Sequence, residues 1–395
     1  MTSTDAPTTR LSPSPRPGTR AYPWLRRAAL VTAILLSARV LIGLIWFLGL
    51  GVPSAQPGFS WFSTGLITLL CAAVVVAILR WARFDMALLR HRLAFAIPLL
   101  LTAGLLYGAY GWQPAAQDYQ ADEVPGPPSH YVDTDLARFH YTDQGEGPPV
   151  VLLSPGAAWT MAWQPQAAYL AQTHRVVVVD LPGQGFTQLR EDDFAFDLPA
   201  MSSAIDAFLE SLDLRGAHLG GMSWSAGWAL HYASENPENV NRLMLLAPSG
   251  VDEPDILTWR LLEPPIIGEL VSKLSAVDRS SYANMVADMF AHQDQVTDEV
   301  IDAMWKPNTF ANNIAATTQL QRGLDWRLTE AAMPDLPHPT LVLWGEEDSV
   351  LSVDLAQTFE TLIPNSVVHR FSDCGHALTL DCSAEVNTAM AEFLT

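Results

Sequence analysis

Three short stretches of this 395-residue chain carry residue types that could act together on a carbonyl group. The first is Gly221-Met222-Ser223-Trp224-Ser225, which follows an apolar run and precedes a helical one. A serine on a sharp strand-to-helix turn exposes its hydroxyl for nucleophilic attack, and small residues two positions to either side let the backbone approach itself. Gly221 meets that need, and Ser225 stands where glycine is more usual but is still small. The second stretch is Gly345-Glu346-Glu347-Asp348, after the apolar run 340–344; the third is Gly375-His376, after the run 367–371. Ser223, Asp348 and His376 are thus candidates for nucleophile, acid and base. Each lies just past the C-terminal end of an expected strand, and in an open parallel sheet those ends form one rim. Glu346 or Glu347 could stand in for Asp348, and Asp252 and Asp255 offer another position for the acid.

The elements that would position these residues read as alternating strands and helices. Runs 149–153 and 175–179 are compact and rich in Val and Leu, as strands buried on both faces are. Further strands are expected at 217–220, 242–246, 340–344 and 367–371, with 138–141 as an antiparallel edge strand. Helices are expected at 161–171, 201–212, 225–234, 355–362 and 384–394. Such alternation implies an α/β fold, a mostly parallel sheet of eight strands with helices on both faces. It breaks between 251 and 337, where helices at 256–274, 282–292 and 298–306 read as a cap over the strand ends. Thr297 followed by Asp298 and Glu299 looks like a helix cap with an acidic first turn.

With these residues in place, the chain resembles the α/β-hydrolase family over roughly residues 130–395. Asp180-Leu181-Pro182-Gly183-Gln184-Gly185 after the 175–179 strand and Cys374-Gly375-His376 near the end add to the resemblance. The resemblance implies that His376 removes the Ser223 proton while Asp348 orients and stabilises the imidazolium. It also implies an oxyanion hole from two backbone N–H groups. One belongs to Trp224, and the other to Ala157 in Pro155-Gly156-Ala157, where proline replaces the family's usual histidine. Trp159, Trp163 and Trp224 fall on loops facing that site and are candidates to line an apolar pocket. Serine at the nucleophile position sets the chain apart from the family's haloalkane dehalogenases and epoxide hydrolases, which use aspartate there.

Charge divides the chain in two. Residues 1–112 hold ten Arg and two acidic residues, a balance of +8, whereas the rest holds twelve basic against forty acidic residues, a balance of −28. The acidic part argues against nucleic acid, whose phosphates need a basic face. The N-terminal third has apolar runs at 33–52, 61–79 and 93–111, each near the ~20 residues of a membrane span. Arg10, Arg16, Arg20, Arg26 and Arg27 precede the first run, and Arg80, Arg83, Arg90 and Arg92 separate the last two. By the positive-inside rule this predicts a basic cytoplasmic tail over 1–32, a three-helix transmembrane region over 33–111 and a linker over 112–129. An extracytoplasmic hydrolase core over 130–250 and 338–395, with its cap over 251–337, would follow. Arg39, inside the first run, would snorkel toward the headgroups.

No metal-binding spacing, paired Cys-x-x-Cys or glycine-rich phosphate loop is present, so neither a metal nor a cofactor is expected. Cys71 falls in an apolar run, and Cys374 and Cys382 bracket His376; those two could form a disulfide if the domain is exported, but spacing alone does not show pairing geometry, and two free cysteines are expected. The first functional reading is a membrane-anchored serine esterase, acting on a small-molecule ester or lipid substrate beside membrane lipid. C–C bond, lactone or amide hydrolysis by the same residues is a second reading. A catalytically silent binding protein on the same fold is a third.

Overall fold

The computed structural model describes residues 23–47, 61–81, 89–191 and 193–395. The chain divides into two units, Met1–Tyr107 and Gly108–Thr395. The first unit contains the helices Pro23–Phe47, Trp61–Trp81 and Leu89–Leu106. The first two helices pack closely, since a Cβ added at Gly43 would overlap the Thr68 side chain.

Among the described residues no helix is long and apolar enough to cross a membrane. This overturns the expectation of three transmembrane spans, and with it the anchored, extracytoplasmic placement of the rest of the chain. Charges and length account for part of the difference. The first helix includes Arg26, Arg27 and Arg39 in its sequence. The third has 18 residues, about 27 Å at 1.5 Å per residue, and carries Arg90 and Arg92. Residues 1–22, 48–60 and 82–88, on which the expected tail and connections largely fall, lie outside the described residues.

The second unit is built on nine strands: β1 (Ser129–Asp133), β2 (Ala137–Gln144), β3 (Pro149–Leu153), β4 (Arg175–Val179), β5 (Gln188–Leu189), β6 (Ala217–Met222), β7 (Val240–Leu246), β8 (Thr340–Gly345) and β9 (Ser366–Phe371). Their order is β1-β2-β4-β3-β6-β7-β8-β9, with the two-residue β5 beside β2. β2 is antiparallel to its neighbours β1, β4 and β5, and every pairing from β4 to β9 is parallel. The expected edge strand at 138–141 is therefore one strand in, covered by β1 and β5. Val150–Leu153 and Val176–Val179 are buried at every position, which is why their sequences show no polar alternation.

Register brings the chemistry to one side. Leu153 of β3 lies beside Gly221 of β6, Met222 beside Leu246 of β7, Leu246 beside Leu343 of β8, and Gly345 beside Phe371 of β9. The segments that leave these five strands therefore emerge next to one another.

Between β7 and β8 the chain forms the cap helices. The helix expected at 256–274 is broken into Leu257–Arg260 and Pro265–Val277, because Pro264 and Pro265 cannot continue one helix but suit the start of the next. The Thr297 side chain accepts the Val300 N–H at the start of Asp298–Trp305. Two further helices, Ala311–Gly323 and Trp326–Ala332, complete the cap and were not expected. The segment read as an extended linker is packed on the cap instead. Tyr119 is buried, its ring edge-on to Trp159 and 4.9 Å from Lys306 Nζ, and the Gln117 N–H donates to Thr309 Oγ1 at 2.8 Å.

Candidate active site

β6 ends at Met222 and the helix Trp224–Glu235 starts at once, so Ser223 is the single residue of the turn, at φ 56° and ψ −125°. A left-handed conformation of this kind costs about 1–3 kcal/mol and persists only where its surroundings over-determine it. Here the Ser223 N–H donates to Leu246 O at 2.9 Å, and its carbonyl accepts from the N–H groups of Ala226 and Ser249, each at 3.1 Å. A Cβ at Gly221 would collide with the Ser225 carbonyl, which is backbone and cannot swing aside. The Ser225 hydroxyl accepts the Met222 N–H at 3.0 Å and lies 2.9 Å from Leu153 O. The residue that departs from glycine thus ties the turn to the end of β3.

His376 Nδ1 is 2.8 Å from Asp348 Oδ2. The other carboxylate oxygen accepts the N–H groups of Val350 and Leu351, both at 2.8 Å, and the Asp348 side chain is fully buried. Bonds from N–H donors and an imidazole hold such a carboxylate in one orientation. Glu346 and Glu347 point to solvent, as does Asp252. Asp255 bonds to Gln321 rather than to His376.

Ser223 and His376 line one cavity of about 50 Å³, room for roughly four waters. Its walls are largely apolar, with Trp224, Trp259, Met289, Met304, Leu351 and Leu380 among them, and among the described residues no Lys or Arg lines it. Trp159 and Trp163, expected there, are placed elsewhere. Trp159 donates to Ala303 O at 2.7 Å under the cap, and Trp163 donates to Leu153 O at 2.8 Å in the main core.

The loop after β3 carries Ala157 at φ 56°. A Cβ at Gly156 would strike the Trp224 ring, so only glycine lets this loop lie against the turn. Among the described residues neither the Ala157 nor the Trp224 N–H donates to a protein acceptor. Cap residues hold this loop: Asn308 Nδ2 lies 2.7 Å from Ala157 O and 3.0 Å from Tyr282 Oη. Burial pushes the Tyr282 phenol well above its ordinary range and keeps it a donor. Behind the loop, the buried Asp180 carboxylate accepts from Ser154 Oγ (2.8 Å), the Thr160 N–H (2.7 Å) and the Phe186 N–H (3.0 Å), and pairs with His140 Nδ1 at 2.7 Å.

Asp381 does the corresponding service for His376, and nothing in the sequence marked it. Its buried carboxylate accepts the N–H groups of Gly375 (2.7 Å), Ala291 (2.9 Å) and His292 (2.9 Å), and His292 Nδ1 lies 3.0 Å away. Cys374 and Cys382, expected to be free, form a disulfide around the same loop. His292, Asp381 and Cys382 are close enough to suggest metal ligands, but the sulfur is in the disulfide and the carboxylate is saturated by donors.

A parallel sheet of this order, with a turn serine and a histidine–carboxylate pair on one rim, is the architecture of hydrolases that act through a serine. The chain belongs to the alpha/beta hydrolase fold family, whose model matches residues 148–381. A cis-3-alkyl-4-alkyloxetan-2-one decarboxylase of Shewanella oneidensis is 25% identical over 280 residues, 67% of this chain and 88% of that protein. A 2-hydroxymuconate semialdehyde hydrolase of a Pseudomonas species is 28% identical over 271 residues, 65% of this chain and 90% of that protein. Among solved structures, a membrane phospholipase A described as a bacterial virulence factor aligns with a TM-score of 0.59 at 22% identity, covering 84% of this chain and 97% of that one. At that identity the likeness speaks to the fold alone.

Proposed function

We propose that this chain is a serine hydrolase in which Ser223 attacks the carbonyl carbon of an uncharged, largely apolar substrate. His376 takes the Ser223 proton and returns it to the leaving group, Asp348 orients His376, and the N–H groups of Ala157 and Trp224 hold the oxyanion. One observation carries the reading: His376, paired with Asp348 at 2.8 Å, lines together with the strained Ser223 a cavity of apolar walls.

Within the acyl-transfer reactions open to these residues, opening of an alkyl-substituted lactone fits better than cleavage of an open-chain ester. The relative from Shewanella is named for an oxetan-2-one with two alkyl arms, an uncharged cyclic ester. In a lactone the attack of Ser223 Oγ breaks the ring C–O bond, His376 protonates the departing alkoxide, and water activated by His376 then hydrolyses the acyl-enzyme. C–C bond hydrolysis is the second reading, since several relatives are named as hydrolases of 2-hydroxymuconate semialdehyde or of 2-hydroxy-6-oxo-dienoates and related compounds. Those names include dienoates, and a carboxylate brought into a cavity without Lys or Arg would lose hydration with nothing to replace it.

The test is turnover of a panel by the full chain and its Ser223→Ala variant: dialkyl β-lactones of increasing arm length, matched open-chain esters, and a 2-hydroxy-6-oxo-dienoate. Lactone opening faster than ester cleavage, lost by at least about a thousandfold in the variant, supports the proposal. Preference for the dienoate shifts the assignment to C–C cleavage, and turnover that survives in the variant refutes the role of Ser223.

A further inference from the structure

The cavity beside Ser223 contains one ionisable group that the proposed chemistry leaves unused. Asp255, in the segment after β7, lines it together with Trp224, Trp259 and His376. A carboxyl group in apolar surroundings needs partners, because an unmet charge or polar atom there is costly. Among the described residues the protein supplies one: Gln321 Nε2, from the cap helix Ala311–Gly323, donates to Asp255 Oδ2 at 2.7 Å. Among the described residues no side chain or N–H donates to the other oxygen, and no cation is on the lining. Gln321 is itself buried, with its Oε1 sealed from solvent and unpartnered. Asp255 and Gln321 therefore form an incompletely satisfied polar corner in an otherwise greasy wall. Burial also raises the Asp255 carboxyl above its ordinary value, while the Gln321 bond partly offsets this.

We infer that Asp255 sets the charge selectivity of this site: its free oxygen accepts a hydrogen bond from a hydroxyl or amine on the substrate, and the carboxylate turns away substrates that carry a carboxylate of their own. This rests on the serine-hydrolase reading above and names the kind of substrate that reading leaves open. A neutral substrate with one donor group completes the corner. An anionic one would bring like charges together at a part-buried carboxylate, a juxtaposition that is penalised as the substrate displaces water from it.

The experiment compares three lactones of equal size whose side arm ends in methyl, hydroxyl or carboxylate, at one pH, with wild type, Asp255→Asn and Asp255→Ser. Ser223→Ala is the control for the reaction itself, and thermal melts check that each variant is folded. In wild type kcat/KM should rank hydroxyl above methyl and both far above carboxylate. Both Asp255 variants should raise the carboxylate-to-methyl ratio of kcat/KM by about tenfold or more, mainly through KM. An unchanged ratio in folded, Ser223-dependent variants overturns the inference and leaves the serine reading intact. Turnover that persists in Ser223→Ala would instead remove the reading on which it rests.

Discussion

Replacing Asp381 by asparagine tests whether the cap and the His376 loop are one mechanical unit. Asp381 Oδ2 accepts from Gly375 and Ala291, and Oδ1 accepts from His292 N–H and faces His292 Nδ1. In Asp381→Asn one oxygen becomes an amino group: at the Oδ2 position it meets two donors, the Gly375 and Ala291 N–H groups, and at the Oδ1 position it meets one, the His292 N–H. Hydrogen bonds of this kind contribute about 1.5–3 kcal/mol each, so losing one or two costs about 1.5–6 kcal/mol. For a unit of this size each kcal/mol lowers Tm by about 2–4 °C, which predicts a fall of at least roughly 3 °C. The disulfide Cys374–Cys382, the bond from the Ala377 N–H to Met289 O and the His376–Asp348 pair remain, so the loop should loosen without the fold being lost. Displacement of His376 should then lower kcat by about ten- to a hundredfold. Because Asp381 does not line the cavity, KM should change much less. Calorimetry and steady-state kinetics on the full chain supply both numbers. A Tm within 2 °C of wild type, or a loss confined to KM, would refute the argument that Asp381 positions His376.

Asn308→Ala removes the clamp that cap residues place on Ala157 O, and should lower kcat about tenfold by letting the Ala157 N–H, proposed above to hold the oxyanion, drift, without a comparable rise in KM. A change in KM alone would assign Asn308 to substrate binding. His218 supplies a pH test. Burial, then the neighbouring His174, lowers its pKa to about 4 from 6.5, and its Nδ1 is buried without a partner. Between pH 6.5 and 4 the unfolded chain binds the proton that the folded one refuses, so stability falls as pH falls through that window, by up to about 3 kcal/mol. His218→Gln should flatten the dependence of Tm on pH across it, and an unaltered slope would assign the acid sensitivity to other groups.

The strands that carry the rim were legible because their signals are local. Val150–Leu153, Val176–Val179 and Thr340–Gly345 are short, apolar and bounded by turn residues, and a strand buried on both faces has few other ways to look. The turn at Ser223 was legible for a similar reason, since Gly221 and Ser225 answer constraints set within five residues. The N-terminal runs misled because apolarity alone does not say whether a helix is long and uninterrupted enough to span a bilayer. The break at Pro264-Pro265 was visible in the sequence but was overridden by the apolar periodicity on either side. Trp159 and Trp163 misled because a tryptophan on a loop near a site can turn its ring into the core when its N–H finds a carbonyl there.

What remained illegible has a common physical origin. Asp381 meets Ala291 and His292 across about ninety positions, Asn308 meets Ala157 across 151, and Gln321 meets Asp255 across 66. None of these side chains has a local requirement that its neighbours in sequence would betray, because each satisfies a backbone or carboxyl group supplied by the fold. The first two join the cap to the rim, and the third joins two segments of the cap at the wall of the same cavity. The rim residues answer short-range demands of a turn and a strand end, and so follow a pattern that many substrates can share. The cap contacts decide how tightly the rim is held and which polar group faces the substrate, so selectivity in this chain is written in pairs of distant residues. A variant of Asp255, Asn308 or Asp381 should therefore alter substrate preference or rate while leaving the order of the strands, and the turn at Ser223, in place.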